Sequence, residues 1–595
     1  MHAGKSERVS PPPRYAELAM PDLVEIVELR VLDGPNLYFP RPAVKLTLAV
    51  PGWLRATEPR LARMADDMAL PGTPRPGARA SEQRRRFTAR VASHVTRAVA
   101  RATHVRLAAR GRTGPGDYSI VVAFPWRRRD AAEALARQVA AVMRDLLGTR
   151  RSLASLAADA AERIEAIDPG PGPIVTDPEI PVIAVTGTNG KTTTVRLLAH
   201  IVRTAGRSVA YSSTDGVFHD GVLVEAGDYS GFGGAQMALE RPGIDVAILE
   251  TARGGILLRG TGTTRNDVSV VTNVSADHLG MHGVDTLDQL AEVKAVITTI
   301  TDPGGWHVLN ADDPRVLAMN RRAGGRPFMC SLDARHPALR EALADGGRAL
   351  TVLDRSLAEL GRSGSRKLVD LEQVPMTLAG IASHHVHNAM SATAAALAIG
   401  LARKAVVQGL RSFMPDAEAN PGRGNVYVLG ERVIVLDYAH NEAGIDGLTE
   451  IARGLCAPAG QTWLAFGTAG DRDDELLHGL GYRAARGADH VVVAELHRYL
   501  RGRDPEDLVG RLRAGAIDGG AADVPAKPDE VSALRFMLDR SSSRDVLAIT
   551  ALAQRPEMFA VLEHELGARR ADPAMVRALV HRARRSTPDG SRGRN

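Results

Sequence analysis

The stretch Val182-Ile-Ala-Val-Thr-Gly187-Thr-Asn-Gly190-Lys191-Thr192-Thr193-Thr194 decides the fold of this chain. A short apolar run leads into a glycine-rich turn, and the next residues have helical spacing. Glycines let backbone N–H groups converge on phosphate oxygens, and a helix start adds the positive end of its dipole. Lys191 is placed to reach the outer phosphates, and the Thr192 hydroxyl to hold Mg²⁺. The strict G-x-x-x-x-G-K-[ST] pattern fails at Val185, whereas the shorter G-T-N-G-K-T form is complete.

This pattern predicts a phosphate loop, and a chance glycine-rich turn is the alternative. The loop alone does not name the reaction, because GTPases, kinases, ATPases and ligases all use it.

Short apolar strands alternate with helical segments after the loop, which predicts a parallel sheet covered on both faces. The predicted strands lie at 182–187, 207–213, 244–250, 267–274 and 306–310. A Pro-Gly-Arg-Gly turn at 421–424 ends this region. A second alternating set predicts a second, smaller α/β domain, with strands at 433–440, 462–470, 488–496 and 545–552.

The remaining segments complete a four-part organisation of the chain. The mixture of strand and helix patterns in residues 1–165 predicts a small α+β domain. A proline-rich stretch at 167–181 marks the entrance to the next domain. We place the central domain at 166–420, the C-terminal domain at 421–575 and a basic tail at 576–595. The first domain includes a basic helix from Glu82 to Arg101. The arginines of this helix form either a docking surface for an acidic chain or a solvated face. They are Arg84, Arg85, Arg86, Arg97 and Arg101.

The composition of the chain argues against several classes of binding partner. The 595 residues carry a formal charge of +6, with 44% apolar and 4% aromatic residues. The two cysteines predict a reducing compartment, and without a long apolar run or a signal-peptide core we expect a cytoplasmic protein with no membrane partner. Scarce aromatic residues and the lack of a reading motif argue against nucleic acid.

Polar side chains follow several predicted strands, at the edge where open α/β sheets bind ligands. Glu250 ends one strand, Asp277-His278 follows another, and Lys294 lies on the next helix. A carboxylate, an imidazole and a threonine hydroxyl beside a phosphate loop suit Mg²⁺. Glu250 could instead cap a helix, His278 and His282 could form a zinc pair, and Lys294 could be a surface lysine.

These motifs together resemble the Mur ligase superfamily of ATP-dependent amide-forming enzymes, in the family's order over about 300 residues. The matching strings are GTNGKTTT, Glu250, Asp277-His278, Asn310-Ala-Asp312-Asp313-Pro, His387-Asn388-Ala-Met, Pro421-Gly-Arg423-Gly, Asp437-Tyr-Ala-His440-Asn441 and Phe466-Gly-Thr-Ala-Gly470-Asp471-Arg472-Asp473.

The cyanophycin synthetase branch is the most similar part of that superfamily. Its resemblance rests on Glu250-Thr-Ala-Arg-Gly-Gly-Ile-Leu, Glu292-Val-Lys294-Ala-Val and Leu500-Arg-Gly-Arg503, and in the first domain on Leu32-Asp-Gly-Pro-Asn-Leu. The ATP-grasp domain that separates the two parts in that branch has no counterpart here. We therefore expect the aspartate-adding activity to be missing, with a separate ATP-grasp ligase as a candidate partner.

The resemblance implies a fold of a Mur ligase central P-loop domain followed by a C-terminal Rossmann-like domain. It also implies roles for individual residues. The cofactors would be ATP and Mg²⁺, with the metal held by Thr192, Glu250, His278 and a carbamylated Lys294. The ATP phosphates would contact Gly187, Thr188, Asn189, Gly190, Lys191, Thr192, Thr193 and Arg423. The nucleoside would contact Asn310, His387 and Asn388, and its ribose would contact Asp437. His440 and Asn441 would line the active face of the third domain.

The implied activity is coupling of a carboxylate, activated as an acyl phosphate, to the amine of an amino acid or similar small molecule. The segment Asp228-Tyr-Ser230-Gly-Phe232-Gly departs from the branch, so the acceptor is expected to differ. Two alternatives stay open: a P-loop NTPase or kinase that forms no amide, and a non-catalytic nucleotide-binding partner of a polymer synthetase. Relatives suggest a homo-oligomer.

Overall fold

The computed structural model describes residues 23–70, 72, 75–277 and 279–584. These residues form two compact units. The N-terminal unit contains the described residues up to Val175 together with 258–260, and the large unit contains the others. The four-part division predicted from sequence stays a prediction, because this division into units does not separate the central and C-terminal regions.

The N-terminal unit is a four-stranded antiparallel sheet packed against helices, as the prediction of a small α+β domain requires. Its elements are β1 (Glu25–Leu32), β2 (Ala43–Ala49), α1 (Pro51–Arg55), α2 (Glu58–Asp67), α3 (Glu82–Ala102), β3 (Arg110–Thr113), β4 (Ser119–Pro125), α4 (Arg129–Gly148) and α5 (Leu153–Glu165). The strand order is β1-β2-β4-β3. Trp53 is fully buried in the core, and its indole N–H donates to the Met143 carbonyl at 3.0 Å.

The basic helix α3 is only partly a solvated face. Arg84 is 1% exposed, and its guanidinium donates to backbone carbonyls, including that of Ala56 at 2.7 Å. Arg85 pairs with Glu82 at 2.6 Å. Both alternatives, a docking surface and a solvated face, are therefore wrong for Arg84, because its guanidinium is buried against backbone carbonyls.

The large unit begins with a sheet of eleven strands, here called the central sheet. Its strands are β5 (Val182–Thr186), β6 (Val209–Ser213), β7 (Gly216–His219), β8 (Val222–Ala226), β9 (Val246–Glu250), β10 (Asn266–Val271), β11 (Thr301–Asn310), β12 (Arg326–Ser331), β13 (Arg348–Leu353), β14 (Ser356–Gly361) and β15 (Gly364–Asp370). The order is β15-β14-β13-β12-β11-β10-β5-β9-β6-β7-β8. Strands from β13 to β6 are parallel, as predicted, whereas antiparallel pairs extend both edges.

Helices cover both faces of the central sheet, and β5 lies in its middle with all five residues buried. The helices are α6 (Lys191–Thr204), α7 (Phe232–Leu239), α8 (Arg253–Leu258), α9 (Leu287–Lys294), α10 (Val296–Thr299), α11 (Pro314–Ala318), α12 (Pro337–Ala344), α13 (Ser383–Ala398) and α14 (Arg403–Ser412). This arrangement brings the ends of β9 and β10 to either side of the phosphate loop.

A second sheet of seven strands, the C-terminal sheet, follows the turn at 421–424. Its elements are β16 (Arg423–Leu429), β17 (Arg432–Asp437), α15 (Glu442–Leu455), β18 (Thr462–Phe466), α16 (Asp474–Gly487), β19 (His490–Ala494), α17 (Pro505–Asp518), β20 (Ala526–Lys527), α18 (Glu530–Arg540), β21 (Val546–Thr550), α19 (Arg555–Ala560), β22 (Arg569–Arg570) and α20 (Pro573–Arg584). The order is β20-β19-β18-β21-β17-β16-β22. The second α/β region predicted from sequence is thus present.

The end of the described chain is helical rather than a solvated tail. Helix α20 buries Val576, Leu579 and Val580, so this part of the predicted basic tail is packed. Residues 585–595 of that tail lie outside the described residues.

Both cysteines are free thiols. Cys330 is buried in the central sheet, and Cys456 is half-buried after α15. Burial raises the pKa of both thiols, that of Cys456 to about 11.

Within the described part of the chain, none of the helices is both long and apolar enough for a membrane crossing.

Candidate active site

The phosphate loop joins the end of β5 to the start of α6, where the sequence predicted it. Gly190 precedes the helix with φ of +84°, in the left-handed region that favours glycine. A Cβ at Gly187 would collide with the Thr272 hydroxyl, and one at Gly190 with the Asn388 side chain. Because any larger residue would distort the loop, both glycines are required by its close packing.

Two lysine ammonium groups point at the carbonyls of this loop. Lys191 Nζ donates to the Thr188 carbonyl at 2.9 Å, and Lys294 Nζ donates to the Gly187 carbonyl at 2.7 Å. Lys294 is 3% exposed, so the surface-lysine alternative is wrong. Burial holds the pKa of Lys294 well below its ordinary value, and the charge of Lys191 lowers it further.

A buried carboxylate faces the first turn of α6. Glu250 is 1% exposed and accepts hydrogen bonds from the hydroxyls of Thr192 and Thr214, each at 2.8 Å. The Thr214 N–H donates to the same carboxylate at 3.3 Å. A carboxylate and a hydroxyl one hydrogen bond apart are hard oxygen donors, so this pair fits Mg²⁺.

The third predicted metal ligand, His278, lies outside the described residues. The zinc alternative that combined it with His282 therefore stays untested, as does its role toward Mg²⁺.

The C-terminal sheet contributes a residue that touches the loop itself. The side chains of Asn189 and Asn441 exchange two hydrogen bonds, of 3.1 and 3.0 Å. Asn441 is also the N-cap of α15. The Asn189 N–H donates to Asn273 Oδ1 at 2.9 Å, so the loop is held from the central sheet as well. Thr188 and Thr193 are buried beside it.

Only some of the residues predicted to contact the nucleoside lie beside the phosphate loop. Asn388 lies against Gly190, and its Oδ1 accepts from the Thr194 hydroxyl at 3.5 Å. Asn310 donates to the Thr272 carbonyl at 2.9 Å, beneath the same loop. His387 instead pairs with Asp312, with 2.8 Å between Nε2 and Oδ2. The structure thus places the two asparagines at the loop and gives His387 a separate partner.

Asp437 lies at the end of β17 beside the buried His385 and the half-buried His384. Donor atoms of Asp437, His384 and His385 are within 4.8 Å of one another. Burial raises the pKa of Asp437 to about 7, against the opposing effects of Arg423, the Gly424 N–H and His440. Both ring nitrogens of His385 and Nδ1 of His384 are buried without a hydrogen-bond partner among the described residues.

His440 belongs to a network that joins the two sheets. His440 Nε2 lies 3.6 Å from Asp277 Oδ2, and Arg472 Nη1 donates to Asp277 Oδ1 at 2.7 Å. Arg472 Nε donates to Thr468 Oγ1 at 2.7 Å. Because Asp277 follows β10 and Arg472 follows β18, this ion pair joins the central region to the C-terminal region.

Sequence reasoning missed the carboxylate that holds Arg423. Asp215 Oδ2 lies 3.5 Å from Arg423 Nη1 and 3.0 Å from Arg196 Nη2, and Asp215 Oδ1 accepts from Arg555 at 3.1 Å. Asp215 follows the end of β6, as Glu250 ends β9. The position of Asp215 after a parallel strand is the signal that could have identified it.

Comparison with known proteins identifies two domains. Residues 185–396 match the Mur ligase middle domain, and residues 422–552 match the domain described as Mur ligase, glutamate ligase domain. The solved structure of E. coli FolC in complex with DHPP and ADP is similar at a TM-score of 0.49 and 20% identity, covering 65% of this chain and 90% of that one.

Curated relatives include ligases of two kinds. Cyanophycin synthetase of Synechocystis sp. is 38% identical over 379 residues, which cover 63% of this chain and 43% of the relative. The UDP-N-acetylmuramoyl-L-alanyl-D-glutamate–2,6-diaminopimelate ligase of Vibrio vulnificus is 28% identical over 410 residues, covering 66% of this chain and 76% of that one. The chain thus matches less than half the length of the cyanophycin synthetase. With its middle and C-terminal domains at residues 185–396 and 422–552, the chain belongs to the Mur ligase family.

Proposed function

We propose that this chain is an ATP-dependent carboxylate–amine ligase that activates its carboxylate substrate as an acyl phosphate. The observation that carries the proposal is the paired hydrogen bonding of Asn189 and Asn441. A phosphate loop that only hydrolyses or transfers phosphate needs no second α/β domain against it. Here Asn441 contacts the loop, and the neighbouring His440 and Arg472 contact Asp277 of the central region. A second α/β domain held against the loop suits the coupling of a second reactant.

The first step is transfer of the γ-phosphoryl group from ATP to a substrate carboxylate, which gives an acyl phosphate and ADP. The loop N–H groups and Lys191 bind and orient the phosphates, and Arg423 reaches them from the domain boundary. Thr192 and Glu250 would hold Mg²⁺, together with His278 and a carbamylated Lys294. When bound, Mg²⁺ neutralises phosphate charge.

The second step is attack of a neutral amine on the acyl carbonyl carbon. The C–N bond forms, the bond to the phosphate oxygen breaks, and the amine loses a proton to solvent or phosphate. Closure of the C-terminal sheet on the loop excludes water, which would otherwise hydrolyse the acyl phosphate. Positioning and charge neutralisation are the contributions of the protein.

Similarity to cyanophycin synthetase favours arginine or a related amino acid as the amine and an aspartyl side chain as the carboxylate. The altered segment at 228–233 argues for a different acceptor. We further propose a homo-oligomer in the cytoplasm, with a separate ATP-grasp ligase as the supplier of the acceptor. The proposed domains are 1–165, 166–420 and 421–575.

The test is ADP and phosphate release by the purified protein with Mg·ATP. Amino acids are screened against β-aspartyl and polyaspartate acceptors, with Lys191→Ala as the inactive control. We expect release that requires both an acceptor and an amine, with a new amide detected by mass spectrometry. ATP turnover that needs neither substrate would show an NTPase, and nucleotide binding without turnover on any pair would favour a non-catalytic partner.

A further inference from the structure

Three arginines of the large unit surround one carboxylate beside the phosphate loop. Arg196 comes from α6, whereas Arg423 and Arg555 come from β16 and α19 of the C-terminal region. All three lie within 3.5 Å of Asp215. The side chains of the three arginines are 8%, 10% and 25% exposed, in that order, and that of Asp215 is 16% exposed.

This cluster holds more positive than negative charge. Asp215 neutralises one of three guanidinium groups, and although burial raises its pKa, Arg423, Arg196 and Arg555 together hold it below the usual range. Asp437 is a second acid near Arg423, and its pKa of about 7 leaves it only partly ionised near neutrality. Tyr211 and Tyr438 also lie near the cluster and are neutral, because burial raises the pKa of each phenol. Burial, with a contribution from the charge of Arg423, holds the pKa of the nearby His385 well below its usual value.

The excess charge is accompanied by an unsatisfied donor. Arg196 Nε is buried and has no hydrogen-bond partner among the residues that the structure describes. Burial also lowers the pKa of Arg196, although Asp215 opposes this effect. Uncompensated buried charge is unfavourable unless a counter-ion and hydrogen bonds offset its desolvation. A bound oxyanion would supply both.

The cluster also lies close to the Thr192–Glu250 pair that fits Mg²⁺. Arg196 follows Thr192 by four residues on α6, so the two side chains share one face of the helix. Asp215 directly follows Thr214, which donates to Glu250. Two of the arginines are held by the segment that links the two sheets. Arg196 donates to the Ala419 carbonyl at 2.9 Å, and Arg555 donates to the Pro421 carbonyl at 3.1 Å.

We propose that Arg196 and Arg555 join Arg423 in an oxyanion subsite beside the phosphate loop, with Asp215 as the residue that positions the three guanidinium groups. The ligand is a phosphate or carboxylate group. Identifying its source as the ATP polyphosphate or the acidic acceptor rests on the proposed function, whereas the existence of the subsite does not. Guanidinium groups suit both anions, because their paired N–H groups match two oxygens.

The first experiment tests the subsite without any turnover. Inorganic phosphate is titrated into the Lys191→Ala protein, in which the phosphate loop is weakened, and the melting temperature is followed at constant ionic strength. We expect a phosphate-dependent rise that is lost when Arg555→Gln or Arg196→Gln is added, because a ligand of the folded state stabilises it. The matched control is Arg535→Gln, an arginine that is 54% exposed and pairs with Glu565. An equal rise in all four proteins would overturn the proposal.

The second experiment distinguishes the two sources of the anion. Binding of Mg·AMPPNP and of an oligo-aspartate peptide is measured by calorimetry for Arg555→Gln and Arg535→Gln in the otherwise unchanged chain. Loss of a charge-assisted hydrogen bond predicts a Kd about tenfold higher for one probe. Weaker AMPPNP binding assigns the subsite to the nucleotide, and weaker peptide binding assigns it to the acceptor. If Arg555→Gln binds both probes as the control does, the subsite does not exist.

Discussion

Glu250 is a charged group whose nearest described neighbours are hydroxyls rather than cations. Replacing it with glutamine keeps its shape and removes the charge that suits Mg²⁺. The amide oxygen can still accept from Thr192, while the amide NH₂ donates to the Thr214 hydroxyl, which now accepts. We expect turnover to fall by about 10²-fold or more, with a higher Mg²⁺ requirement and no loss of stability. ADP release over a Mg²⁺ series measures this effect.

The control for this change is Glu225→Gln, at an exposed glutamate on β8. Unchanged Mg²⁺ dependence in Glu250→Gln would remove Glu250 from the metal site.

His384 predicts how stability depends on pH. Burial lowers its pKa from 6.5 to about 4, and the charge of His387 contributes. The imidazole is therefore neutral in the folded state but takes up a proton on unfolding below pH 6.5, so its contribution destabilises the fold progressively from pH 6.5 down to about 4. We expect His384→Asn to lose less stability than the wild type between pH 7.5 and 5.

Urea unfolding at those two pH values measures the difference. His478→Asn, at a half-exposed histidine paired with Asp518, is the control. An equal loss of unfolding free energy in the wild type and in His384→Asn would contradict the lowered pKa of His384.

The residues that sequence analysis brought together share one physical reason. Thr192 and Glu250 meet because β5 and β9 are parallel neighbours, so the segments after the two strands leave the sheet at the same edge. Lys294 was predicted to lie at the same site because of the family resemblance, and not because of its spacing in the sequence. The contact between Asp215 and Arg555 was not found, because residues 340 positions apart carry no pattern that signals it.

At the scale of elements, α9 depends on its first turn. Thr286 accepts from the Gln289 N–H at 3.2 Å, and Gln289 reaches back to the Thr286 N–H, which completes a capping box. Since Lys294 ends this helix, the cap supports the predicted metal site. We expect Thr286→Ala to lower the free energy of unfolding by about 1 kcal/mol.

Urea unfolding checks this value, with Ser365→Ala at an exposed position of β15 as the control. An unchanged midpoint would show that packing alone holds α9.

Element type was predictable, whereas element limits were less so. β5 was predicted to within one residue because its apolar run ends at a glycine. β11 instead begins at Thr301, although Asp302-Pro-Gly-Gly305 is typical of a turn, because the backbone still pairs with β10 at Thr301. The antiparallel hairpins at the sheet edges escaped prediction, since strands such as β8 are exposed along their whole length and show no alternation.

At the scale of the whole large unit, the Asp277–Arg472 ion pair links the segments that follow β10 and β18. Arg472 is 7% exposed, so the contact is shielded from water. If closure protects an acyl phosphate, removing this arginine should admit water. We expect Arg472→Ala to release several-fold more phosphate per amide formed, while nucleotide binding is retained.

Parallel assays of phosphate and amide give this ratio, with Arg483→Ala on the exposed side of α16 as the control. An unchanged ratio would show that water exclusion does not depend on the ion pair.

The two native thiols have a practical consequence for watching this closure. Because burial raises the pKa of Cys330 and Cys456, both are poor nucleophiles at neutral pH. Maleimide dyes should react with them slowly, while cysteines introduced on exposed faces of α9 and α16 should be modified first. The wild-type chain is thus a low-background host for a donor–acceptor pair, and fluorescence energy transfer can follow the distance between the two sheets during turnover.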